Sequence, residues 1–164
     1  MNITLKSLSS SLKKFIAVYI IVISIGVGTG LTFLNHTTSF SPKGTIARFN
    51  GDKKNIDSDF EVQENYPKPI SEMLITTHNH ILGLAFIFFS IGLIFYFNSI
   101  IIGKWKLFIM IEPLVSIIIS FGSIWLMRFV DEHFVYLAVV SASIMYLSFY
   151  FMAIISLYEL IFKR

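Results

Sequence analysis

Long apolar runs separated by short polar stretches dominate the chain: Phe15–Leu34, Ile81–Ile102, Leu107–Met127 and Phe134–Phe162. Each is close to or above the roughly 20 residues that a helix needs to cross the hydrocarbon of a bilayer. None alternates with the two-residue period of a barrel strand. Backbone exposed to lipid must satisfy its own hydrogen bonds, so the runs predict helices. The expected fold is all-α, an integral membrane four-helix bundle forming a single domain over residues 1–164. Its spans are expected at about 15–34, 71–102, 105–127 and 134–162, with one long loop, 35–70, between the first two.

That loop is polar and punctuated by Pro42, Gly44, Gly51, Pro67 and Pro69. Asn50-Gly51 has the composition of a hairpin turn. Ser71 after Pro69 predicts the N-cap of the second helix. The loop is too short to bury a core of its own. Its apolar residues Phe40, Ile46, Phe49, Phe60 and Tyr66 are therefore expected to lie against the mouth of the bundle or among headgroups.

Polar residues inside the spans are not scattered. At about 100° per residue, Glu112, Ser116, Ser120 and Ser123 fall within about 80° of one another. Ser141, Ser148 and Glu159 fall within about 20°, with Met145 and Met152 on the same side. His80 and Asn98 are five whole turns apart and would share a face. Narrow polar stripes predict inward-facing surfaces, most simply as helix-packing hydroxyls. Glu112, followed by Pro113, is the candidate intramembrane acid. Glu159, near the C-terminus beside Lys163, is expected at the headgroups. Gly26 and Gly30 have the GxxxG spacing of close helix contact, and the span around them excludes a nucleotide-binding loop.

Composition strengthens the membrane reading: 55% of residues are hydrophobic and only 14% charged, with a mean hydropathy of +0.74. Lipid must cover that much apolar surface. The absence of cysteine removes disulfides, thiolate metal sites and covalent c-type haem. Basic residues sit at span ends rather than on a patch, which argues against a nucleic-acid partner. Lys6, Lys13, Lys14, Lys104, Lys106, Lys163 and Arg164 fall on one side if both termini are cytoplasmic, the arrangement the positive-inside rule prefers. Across the membrane, Lys43, Arg48, Lys53, Lys54 and Lys68 nearly balance Asp52, Asp57, Asp59, Glu61, Glu64 and Glu72. The expected topology is N-in, C-in, with the first span an uncleaved signal anchor because no small-residue cleavage site follows it. Trp105 and Trp125 stand near opposite ends of the third span, as interfacial aromatics do.

In this topology His36, His78, His80 and His133 all gather near the outer surface. Neutral imidazole is the commonest transition-metal ligand, so His80 with His36, His78 or His133 is a candidate site for haem b, copper or zinc. On a regular helix His78 and His80 point about 200° apart and cannot share one ion. The alternative is interfacial histidines bonded to loop carbonyls or headgroups. No HExxH, G-x-S-x-G or P-loop is present, and no enzymatic activity is predicted.

Ser71 through Leu74, leading into Thr77-His78-Asn79-His80, resembles a TH-x-H motif that opens the second helix in a family of small bacterial inner-membrane proteins. Phe49-Asn50-Gly51, Trp125 through Arg128, and Leu157-Tyr158-Glu159 are similar to the same family. The resemblance spans nearly the whole chain and implies the four-helix layout, with no activity attached. Relatives carry an aspartate five residues before the tryptophan, where this chain has Ser120. Together these observations lead to an expectation of a multi-pass bacterial inner-membrane protein in contact with lipid. Its expected role is an accessory or interaction component of an envelope or respiratory system, meeting its partner through 35–70. A haem- or metal-binding protein, or a small transporter subunit using Glu112, are the alternatives.

Overall fold

The computed structural model describes residues 4–51 and 66–163. Four helices long and apolar enough to cross a membrane are present, with no strand among the described residues. The long helices are α1 (Ser10–Thr38), α3 (Ile70–Tyr96), α4 (Lys104–Phe129) and α5 (Phe134–Phe162), and a short α2 (Pro42–Asn50) lies between the first two. Phe60 falls outside the described residues.

α5 is the hub. Its sequence is apolar around its whole circumference, so one side can pack on other helices while the other, with Val140, Leu147 and Ile154 exposed, faces lipid. It packs against α1, α2, α3, α4 and an N-terminal 3-10 turn, Leu5–Ser7. Met145, Phe149, Met152, Ala153 and Leu160 of α5 meet Phe88, Ile91 and Phe95 of α3, Ile117 of α4, and Ile20 and Val27 of α1. Phe88 and Phe149 meet edge to face with ring centres 6.0 Å apart. α1 is the outlier: only Ile20, Val27 and Thr38 of its 29 residues are buried.

At one end of the bundle the Leu5 amide donates to Phe97 O (2.9 Å), which fixes the N-terminal turn to the end of α3. We refer to this as the terminal end. At the opposite, distal end, Phe49 of α2 packs with Met73, Met127 and Val135. Ile46 joins that cluster, so these two loop residues do lie against the bundle, while Phe40 and Tyr66 are exposed.

The distal segment is more helical than its polarity suggested. Ser41 caps α2 by accepting from the Gly44 amide (2.9 Å), and Pro42 occupies the first turn, where its missing N–H costs nothing. Gly44 is required here, because a Cβ would lie 2.1 Å from the Thr38 carbonyl oxygen. Asn50-Gly51 forms no hairpin. Gly51, with φ 79°, ends α2 as a helix C-terminal glycine does. α3 begins at Ile70 with Pro69 as N-cap, not Ser71.

α3 stops at Tyr96, short of the expected 102. The apolar Ile100-Ile101-Ile102 continues past it in a non-helical turn. Asn98 Oδ1 accepts from the amides of Ile100 (3.0 Å) and Ile101 (2.7 Å), which organises that turn. Lys106 Nζ donates to the carbonyls of Tyr96 (3.0 Å) and Asn98 (2.8 Å), a cation on the negative end of the helix.

Candidate functional site

The polar stripes on α4 and α5 face each other. Ser116, Ser120 and Ser123 of α4 are buried, as are Ser141, Met145, Met152 and Glu159 of α5. The arithmetic of helical faces holds because both helices run unbroken, Pro113 included.

Glu112 is the centre of this seam. Its carboxylate is half-buried and reaches both helices. Oε1 accepts from the Ser116 hydroxyl one turn along α4. Oε2 accepts from the Ser148 hydroxyl of α5 at 2.7 Å. Further toward the distal end, the Ser120 and Ser141 hydroxyls meet at 2.7 Å, and Ser141 donates onward to Leu137 O (2.7 Å). The result is a run of hydroxyls with one acid, enclosed between two apolar helices.

Glu159 departs from expectation. It is 0% exposed rather than at the headgroups. The turn after α3 folds over it, and the Ser99 amide donates to Oε2 at 2.7 Å. Its other oxygen is buried without a hydrogen-bond partner. Asn98 is also buried, but not on the helical face that it was expected to share with His80, because α3 ends before it. His80 is exposed, not inward.

The histidines occupy separate places. His36 sits in the last turn of α1 and lines an open cleft of about 610 Å³ with Thr37, Arg48, Tyr66 and Glu72. Half-burial lowers the Arg48 guanidinium from its ordinary value, and the group lies over the Phe33 ring at 4.9 Å. His78 is exposed on α3. His80 donates through Nδ1 to the Thr76 carbonyl (2.8 Å) and leans on Phe121, with ring centres 5.5 Å apart. His133 precedes α5, and its Nδ1 lies 2.7 Å from Asp131 Oδ1. The backbone amide of His133 also donates to that oxygen at 2.7 Å. That amide bond, followed by the imidazole bond, pulls the Asp131 carboxyl below its ordinary value. Among the described residues no three of His, Asp or Glu come close enough to hold a metal ion.

Trp125 was expected only as an interfacial aromatic. Its indole also donates to the Thr77 hydroxyl (2.9 Å), tying α4 to α3 one residue before His78. Trp105 is exposed near the terminal end, as a belt residue would be.

A family of transmembrane helical domains, Aq_1264_TM, matches residues 39–164. The chain belongs to this family. No curated protein and no solved structure matches it. The Aq_1264_TM region starts at the residue after α1 ends and contains α2, α3, α4, α5 and the entire polar seam. The chain is thus a multi-pass membrane protein of a transmembrane helical family, and α1 is a span outside the matched region.

Proposed function

We propose that the chain is an accessory component of a larger membrane assembly rather than an enzyme. It would lie in a bacterial inner membrane with both termini cytoplasmic. The basic residues flanking the terminal end, Lys6, Lys13, Lys14, Lys104 and Lys106, support that orientation. The observation that carries the functional reading is the state of α1. It buries three residues in 29, and its Gly26 and Gly30 have nothing within 4 Å of where a Cβ would sit. A helix held so lightly by its own bundle has most of its surface available to another protein. The described α2 lies at the distal end beside the C-terminus of α1 and offers polar groups to a partner.

Photo-crosslinkers at Val22 and Phe33 on the exposed side of α1, and at Phe40 in the following turn, test this in native membranes. The expected result is a discrete protein adduct from at least one position. Adducts to lipid alone from all three positions refute the reading. A reporter fused within 40–65 that registers as cytosolic refutes the orientation.

A further inference from the structure

We propose that Glu112 is a reversible proton-binding site in the seam between α4 and α5, with Ser116 and Ser148 as the hydroxyls that hold its carboxyl. This goes beyond the accessory role and does not depend on it. The argument rests on depth, partners and missing countercharge.

Glu112 lies eight residues into α4, about 12 Å along the axis from Lys104. Its carboxylate meets Ser148, the middle residue of α5 as Phe134–Phe162 runs. The group is therefore within the hydrocarbon of any bilayer these helices span. Both of its oxygens are engaged, one by each helix, so the side chain is held rather than snorkelling to an interface.

No cation in the spans faces it. On α4 the nearest basic residues are Lys106 and Arg128, on either side of a long apolar stretch. Lys106 is already turned to the carbonyls of Tyr96 and Asn98. α3 has no acid or base between His80 and Tyr96. α5 brings only Tyr136, Tyr146, Tyr150, Tyr158 and Glu159. α1, packed on α5, adds Tyr19, with Lys13 and Lys14 at its start and His36 in its last turn at the distal end. A carboxyl in hydrocarbon with no countercharge is neutralised most cheaply by a proton. The hydroxyls fit either form, since each donates to a carboxylate and can accept from a carboxylic acid by rotating. The Ser120–Ser141 pair continues the same line of hydroxyls one turn further along α4.

A hydrophobic carbodiimide, dicyclohexylcarbodiimide, reads this directly on the full chain in liposomes. A carboxyl oxygen bonds the central carbodiimide carbon while the acid proton passes to its nitrogen. An acyl shift from oxygen to nitrogen then leaves a stable N-acylurea, which mass spectrometry maps to a residue. The expected result is labelling of Glu112 that falls as pH rises, is unchanged by sodium ions, and is lost in Glu112→Gln. Ser148→Ala retains the acid but removes a bond to its ionised form. At a fixed pH it should change the extent of labelling severalfold relative to the parent. This variant also keeps the test informative if Glu112→Gln does not fold. A Glu112 that stays unlabelled at every pH overturns the proposal. So does protection by sodium at fixed pH, which would assign the site to a metal cation. A Ser148→Ala profile identical to the parent overturns the part given to Ser148.

Discussion

Replacing Gly44 by alanine pits helix propensity against packing, and the structure decides which prevails. Alanine is favoured over glycine inside a helix by about 1 kcal/mol. At position 44 the added methyl would sit 2.1 Å from Thr38 O and 2.7 Å from Thr38 C, both backbone atoms. That carbonyl cannot easily retreat, because the Ser41 amide and the Ser41 hydroxyl both donate to it at 2.9 Å. The relief must come from α2 moving off the end of α1. Such movement breaks the Ser41 cap on the Gly44 amide, a loss of about 1 kcal/mol that cancels the propensity gain. What remains is the overpacking cost, about 1–3 kcal/mol. Because α2 is a local unit at the distal end, the loss appears as local opening rather than as a lower melting temperature. Hydrogen exchange reports it at the amides of Thr45 and Gly51, which bond Ser41 O at 3.0 Å and Ala47 O at 2.9 Å. Exchange there should accelerate roughly tenfold in Gly44→Ala, with core amides of α5 unchanged. Equal or slower exchange at both amides would show that the Thr38–Gly44 approach is not a real constraint.

Two other outcomes follow from the distal end. Trp125→Phe and Thr77→Val should show a coupling of about 0.6 kcal/mol in a double-mutant cycle of unfolding in detergent, because each removes one side of the same indole–hydroxyl bond. Strictly additive effects would mean that the bond contributes nothing. Asp131 has a depressed carboxyl, chiefly through the His133 amide and then its imidazole. Its contribution to the start of α5 is therefore complete above the ordinary aspartate value and is lost as pH falls through the depressed one. The chemical shifts of the His133 and Phe134 amides should show a transition in that acidic window. Asp131→Asn should remove the transition, and its persistence in that variant would assign it to another group.

Spans and stripes were legible because both rest on simple periodicity. The α4 and α5 faces could be computed from residue numbers alone, and Ser116, Ser120, Ser123 and Ser141 are buried as that arithmetic requires. Hydropathy failed where the chain stays apolar after leaving the helix. Ile100, Ile101 and Ile102 look like more span, while the signals that end α3 are a single asparagine and Gly103, whose φ is 68°. Glu159 was placed at the membrane surface from its distance to the C-terminus. Nothing local announces that the turn after α3 will fold across it. α2 was readable in principle, since Ser41-Pro42 is a strong helix start, but polarity and the following glycine favoured a loop. The histidines illustrate the opposite limit. A shared side of the membrane is legible from topology, but whether side chains converge depends on helix rotation and on loop paths that spacing does not encode.

The latch between Leu5 and the far end of α3 has a bearing on biogenesis. The seat for the Leu5–Ser7 turn is made from a stretch that leaves the ribosome only after two spans and the intervening segment have been translated. Until then the Leu5–Ser7 turn has no place to dock. Final closure of the bundle therefore waits on the middle of the chain, and a nascent chain halted before residue 97 would leave the Leu5–Ser7 turn undocked.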